Sequence, residues 1–167
     1  SGAVSGFYSV AQHSVLVSDV VPIGLALWGL LHDAQEAYLQ DVARPLKRLP
    51  EFAPYRQIER VLQAAVIARF GLSTAHLHGD KYPGRKPNDV TVPIDPEIPL
   101  EPEEVLEADR RMCSTEKRDL MALGGAFHAW DTDKYPAYDF VITPMGPEQA
   151  KERFLDRLKI LVRVQRQ

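Results

Sequence analysis

The stretch Leu30-Leu31-His32-Asp33-Ala34-Gln35-Glu36 limits what this chain can fold into more than any other. A histidine followed at once by an aspartate interrupts an apolar run with helical spacing. Carboxylates are seldom buried unless they are paired or bound to a metal. On a single helix from about Ile23 to about Leu39, Trp28, His32 and Glu36 fall one turn apart, on a side shared with Leu25 and Leu39. Asp33 stands on the flank of that side, close to Glu36. Such spacing sets an imidazole and two carboxylates where solvation is poor, as in a metal site.

The rest of the composition narrows the class. At 167 residues the chain is long enough for one domain with a proper core. A net charge of −3 gives no sign of a nucleic-acid scaffold or a polybasic membrane surface. The single cysteine, Cys113, excludes an internal disulfide framework and a thiolate zinc site, and fits a reducing compartment. No apolar run reaches the length of a membrane span and no signal peptide opens the chain, so a cytoplasmic protein is expected.

Helical periodicity dominates the order of elements. Ser9 reads as the N-cap of a first helix with Val10, Val17, Val20 and Val21 as its apolar stripe and His13 inside that stripe. Pro22 ends this helix and opens the one that carries His32 and Asp33. A cationic turn follows, from Gln40 through Asp41, Arg44, Pro45, Lys47 and Arg48 to Pro50. A third helix is predicted from about Pro54 to Phe70, with Ile58, Val61, Leu62, Ala65, Val66 and Phe70 inward and Gly71 as C-cap. Gly79 to Pro99 is a Pro/Gly-rich connector. A fourth helix starts near Pro102, with Val105, Ala108, Met112, Leu120 and Leu123 inward, Asp109 in the middle of that stripe, and Gly124-Gly125 as its stop. An aromatic-rich irregular stretch runs from Phe127 to Met145, with a short extended piece at Tyr138 to Thr143. Pro147 opens a last amphipathic helix bearing Phe154, Leu155, Leu158, Leu161 and Val164. The expected fold is a compact all-α bundle of about five to seven helices in a single domain over residues 1–167.

Three successive inward faces thus each carry ligand-type residues: His13, then His32 with Asp33, then Asp109. Two imidazoles and two carboxylates suit Mn, Fe, Co, Zn or Ni. Each residue taken singly could be a satisfied polar core residue. Asp109 fits that bland reading worst, because an unpaired buried carboxylate costs several kcal/mol, on the order of a salt bridge or more. The coincidence favours a metal, although periodicity alone does not make the three faces converge.

This pattern resembles the H…HD…D signature of the HD-domain metal-dependent phosphohydrolases. Tyr8-Ser9-Val10-Ala11-Gln12-His13-Ser14 is similar to the first-ligand helix of phage and bacterial members that hydrolyse deoxynucleotides. His32-Asp33-Ala34-Gln35-Glu36, with Asp41 and Pro45-Leu46-Lys47 downstream, resembles their second motif. Ala108-Asp109 followed by Thr115-Glu116-Lys117-Arg118-Asp119-Leu120-Met121 resembles their last-ligand helix. The likeness covers nearly the whole chain and extends to the 5′-deoxynucleotidases and the small phage dATP triphosphohydrolases. Those relatives carry a further segment before the first histidine helix that helps to contact base and sugar, whereas this chain begins a dozen residues before His13.

The resemblance implies an all-α fold of the HD type and a divalent ion on His13, His32, Asp33 and Asp109, with Zn, Mn or Co ahead of Mg, Fe or Ni. Glu36, one turn beyond His32, is placed to orient a water or move its proton. Asp41 resembles the acid that assists the leaving group; by composition alone it is as well read as a turn cap. Lys47, and with less support Arg44 and Arg48, would neutralise phosphate charge, with Pro45 as a wall of the nucleoside pocket. For Arg48 a solvated surface position is the better reading. Glu116 shares the inner face of its helix with Asp109 and could brace a ligand. His76, His78 and His128 read as non-ligands, while Tyr82, Trp130 and Tyr135 could cover the site or pack at a subunit contact.

The expected activity is therefore hydrolysis of a deoxynucleotide, first as a dNTP triphosphohydrolase of the dATP type, alternatively as a 5′-deoxynucleotidase on dNMPs. A non-catalytic nucleotide- or metal-binding HD module is the rival from another class, and Glu36 argues against it. Hydrolysis of a cyclic or alarmone nucleotide shares the metal chemistry, but Tyr82-Pro83-Gly84 is out of place and order for the cyclic-dinucleotide branch. There is no phosphate-cradling glycine loop before a helix. Expected partners are a small deoxynucleotide and further copies of the chain, as a dimer or dimer-based hexamer, with neither polymeric nucleic acid nor membrane. The setting implied is the cytoplasm of a prokaryote or a phage-infected host.

Overall fold

The first helix starts where the sequence places it. Ser9 sits in extended backbone and its hydroxyl accepts the Gln12 amide at 3.2 Å, satisfying one of the donors that a helix N-terminus leaves over. In this computed structural model, which describes residues 6–40, 42–74, 99–121 and 134–165, that cap opens α1, Val10–Val20. The helices after it are α2 Ala26–Leu31, α3 Arg44–Lys47, α4 Ala53–Phe70, α5 Glu103–Leu120 and α6 Pro147–Gln165. Single 3-10 turns stand at Ile23–Leu25, Ala34–Ala37 and Pro50–Phe52. There is no strand among the described residues, and the fold is all-α. No described helix is long and apolar enough to cross a membrane.

The chain divides into two compact units, one formed by the residues up to Leu30 together with those from Glu103 onward, the other by Leu31–Pro102. In the first, α1 packs against α5 and α6. Its buried apolar residues include Val15, Val17, Val105, Ala108, Met112, Leu120 and Leu161. The inward side of α1 is more polar than its valines suggest. Gln12, His13, Ser14 and Ser18 are buried, whereas Val10 is exposed and Val20 half-buried. Gln12, His13 and Ser18 each have hydrogen-bond partners, as most buried polar groups do. Ser18 donates to the Ala26 carbonyl at 2.7 Å and receives the Arg157 guanidinium on both its hydroxyl and its carbonyl. Gly29 lies so close to Ser18 that an added Cβ would stand 3.0 Å from the Ser18 Cα.

The stretch from Pro136 to Gly146 is irregular rather than extended into a strand. It lies against α1 and α5 as a strap whose backbone is held by side chains. Tyr138 N–H donates to Thr115, Ile142 N–H to Asp119, and Met145 N–H to Gln12, all between 2.8 and 2.9 Å. Gln12 returns a bond to the Thr143 carbonyl, and Arg118 binds the carbonyls of Tyr138 and Phe140. These partners replace a neighbouring strand, which is why a segment with strand-like sequence forms no sheet.

The second unit departs further from the sequence expectation. The predicted continuous helix from Ile23 to Leu39 is broken: α2 ends at Leu31, His32 and Asp33 form a turn, and a 3-10 turn follows. Asp33 has φ −106° and ψ 17°, outside the helical basin. Its carbonyl accepts the Glu36 amide at 3.0 Å, a three-residue step in place of the α-helical four. Helix α4 matches in extent, and Gly71 caps it with φ 62°, a conformation glycine adopts without a Cβ penalty. Its inward face is turned by about one residue from the predicted one. Gln63 and Ile67 are buried, while Ile58 and Val61 are more than half exposed. The same holds in part for α6 in the first unit, where Ala150 and Leu161 are buried but Leu155 and Val164 are exposed.

Candidate metal centre

Helix α1 presents His13 on its buried side, and α5 presents Asp109 and Glu116 two turns apart on the side that meets it. Both ring nitrogens of His13 face carboxylates. Nδ1 lies 2.5 Å from Glu116 Oε1, and Nε2 lies 3.3 Å from Asp109 Oδ1. The Tyr8 hydroxyl donates to the same Glu116 oxygen at 2.7 Å. Burial, then the charge and hydrogen bond of Glu116, push the Tyr8 phenol far above its ordinary value, so it stays a neutral donor. The Cys113 thiol points at Asp109 Oδ1 from one turn further along α5, at 3.7 Å.

In the second unit His32 is buried and its Nε2 lies 3.2 Å from the carboxylate of the adjacent Asp33, which is about a quarter exposed. The turn that breaks the helix brings the two side chains together; in a continuous helix, adjacent side chains splay apart. From α4, Gln63 donates its amide to the His32 carbonyl at 3.2 Å and to Glu101. Glu36 is half-buried on the following 3-10 turn. Next to it, Gln35 Oε1 is buried with no hydrogen-bond partner among the described residues.

His13 and Asp109 in the first unit bring an imidazole and a carboxylate face to face, and His32 in the second unit supplies another imidazole; two imidazoles and a carboxylate are donors of the kind that could hold a metal ion. His13 is further suited to the task because its second nitrogen is engaged by a carboxylate, the arrangement that turns a histidine toward a metal. The predicted phosphate cation Lys47 is bonded to Glu59 at 2.7 Å and lies 5.7 Å from the centre of the Tyr55 ring. Pro45 and Arg48 are exposed. Asp41 and the Arg44 side chain lie outside the described residues, as do His76, His78, Tyr82, His128 and Trp130. Tyr135 is described and lies under Arg110, its ring centre 5.3 Å from the guanidinium carbon.

Three contributors escape a reading of the sequence. Tyr8 looks like a lead-in to the N-cap, although an aromatic hydroxyl just before a buried histidine helix was the available signal. Gln63 and Glu59 are missed because the apolar residues of α4 suggest a different inward face. Glu116 was found by its helical phase, but its partner His13 lies more than a hundred positions away in sequence and no spacing rule connects them.

An uncharacterized protein of Escherichia coli (strain K12), YfdR, is 34% identical to this chain over 163 residues, covering 96% of this chain and 75% of YfdR. No family model matches the chain, and no solved structure matches it.

Proposed function

We propose that this chain, which belongs to the family of the Escherichia coli protein YfdR, is a metal-dependent phosphohydrolase acting on deoxynucleotides. The observation that carries the metal reading is His13, whose Nδ1 is taken by Glu116 while Nε2 faces the Asp109 carboxylate. In the Nδ1–H tautomer an imidazole lone pair faces a carboxylate oxygen there, and a cation suits such a pair. The substrate class comes from the H…HD…D motif resemblance, which assigns His13, His32, Asp33 and Asp109 to one divalent ion.

When bound, that ion supplies Lewis acidity toward a phosphate oxygen and a water acidic enough to attack near neutral pH. The remaining roles belong to the chain. Glu36 takes the proton of the attacking water as it adds to phosphorus. The bond from phosphorus to the departing oxygen breaks in line, and Asp41 assists that oxygen's protonation. Lys47 and Arg44 offset the charge on the phosphate oxygens, and Pro45 bounds the nucleoside. Because Glu59 already holds Lys47, that ammonium is presented in a fixed place rather than from a free-swinging chain.

Product analysis tests this directly. The protein is incubated with each dNTP and each dNMP in the presence of Mn, Co or Zn, and the products are separated by chromatography. Deoxynucleoside with intact triphosphate is the expected result for a triphosphohydrolase, and phosphate released from monophosphates alone would assign a 5′-deoxynucleotidase. Metal uptake without turnover of either would overturn the enzymatic reading in favour of a binding module.

A further inference from the structure

We infer that Tyr8 and Glu116 are positioning residues that fix the tautomer and ring orientation of His13, leaving Nε2 as its ligand atom. The inference deepens the reading of His13 as a metal ligand and rests on it. The argument starts from hydrogen counting. Glu116 Oε1 already accepts the Tyr8 hydroxyl at 2.7 Å, and an oxygen acting as acceptor in the 2.5 Å contact with Nδ1 puts the hydrogen on the ring. A neutral imidazole with Nδ1–H carries its lone pair on Nε2, and that nitrogen is the one facing Asp109 at 3.3 Å.

Glu116 is itself held. Tyr8 donates to the same Oε1 at 2.7 Å, so a single oxygen takes two donors that arrive from opposite ends of a short arc of chain, the lead-in to α1 and its first full turn. The Ser9 cap lies between them and fixes the direction in which the chain enters the helix, which sets where the Tyr8 ring can reach. The side chain of Glu116 is one-fifth exposed and that of His13 one-tenth, so water competes weakly for either bond. A carboxylate on Nδ1–H also pushes electron density toward Nε2 and makes it a better donor to a metal.

The variants Glu116→Ala, Glu116→Gln and Tyr8→Phe test this, read by long-range proton–nitrogen NMR of the imidazoles in metal-free and zinc-loaded protein. Zinc affinity is measured alongside by competition with a chromogenic chelator. Wild type is expected to hold His13 as the Nδ1–H tautomer, with zinc shifting the Nε2 resonance. Glu116→Ala is expected to mix the tautomers and weaken zinc about 10–100-fold. Glu116→Gln, which keeps an acceptor oxygen in the same place, recovers part of that loss, and Tyr8→Phe loses less than about tenfold. A brace that is merely structural would lower the melting temperature in these variants and leave the tautomer and zinc affinity untouched; that result overturns the inference. An Nε2–H tautomer in wild type overturns it as well. If wild type takes up no zinc, the metal reading falls on its own. A tautomer change between wild type and Glu116→Ala would still support the positioning roles.

Discussion

The two buried histidines, His13 and His32, are held in opposite ways. His13 belongs to a regular helix, and its ring is oriented by carboxylates on another helix, contacts that span about a hundred positions of sequence. His32 belongs to a turn: the carboxylate of the next residue faces its ring, and an amide from α4 holds its carbonyl. The first is aimed through its side chain, the second through its backbone. The difference teaches that a histidine can be set by packing or by chain geometry, and that disturbing each should leave a different signature.

The largest effect is expected at the local pair. Asp33→Ala should remove metal and hydrolysis altogether while circular dichroism still reports the helices. Full activity in a metal-free Asp33→Ala protein would sink the mechanism. Next comes Glu36, on the turn that His32 and Asp33 begin. Glu36→Ala should keep its metal, measured by elemental analysis, and lose turnover by roughly two to four powers of ten. Unchanged turnover would pass the proton-transfer role to Asp41.

The backbone hold on His32 can be broken separately. Gln63→Leu removes the donor to the His32 carbonyl and to Glu101, at a cost of roughly 1–3 kcal/mol. That should lower the melting temperature by several degrees. A variant as stable as wild type would show that the local turn holds His32 unaided.

The smallest effect is a pH dependence within the first unit, away from both histidines. Arg118, bonded to Asp119, holds that carboxyl below its ordinary value of 3.8; burial opposes the shift, and the Ile142 amide adds to it. A carboxyl lowered on folding stabilises the folded state above its ordinary value. That contribution is lost as pH falls through the lowered one. The strap should therefore loosen below about pH 4, as faster hydrogen exchange at Ile142 in wild type but with no such acid step in Asp119→Asn. An acid step that survives in Asp119→Asn would place its origin in another carboxyl.

The same contrast explains what the sequence discloses. Extents of helices were legible where a local rule sets them: the Ser9 cap, Gly71 in its left-handed conformation and Pro147 at the start of α6. Facing was less legible, because periodicity weighs apolar residues and α1 and α4 turn Gln12, Ser14, Ser18 and Gln63 inward instead. The break at His32 escaped because both sides of it are helix-like, and a 3-10 turn keeps nearly the spacing of an α-helix. Of the candidate site, the ligand-type residues and Glu116 were visible one by one. Tyr8 was not, since its role exists only through a partner far along the chain.

The strap has a consequence for how the protein comes off the ribosome. Gln12 is fully enclosed in the finished fold, yet its amide is matched by the Thr143 carbonyl and the Met145 amide, 131 and 133 positions later. At typical rates of synthesis those partners emerge roughly 7–26 s after Gln12 does. For that interval the first helix has no partner for its largest fully enclosed polar side chain, and α6, one of the two helices it packs on, is made later still. The first helix can be capped early, but its buried amide is matched only when the strap arrives.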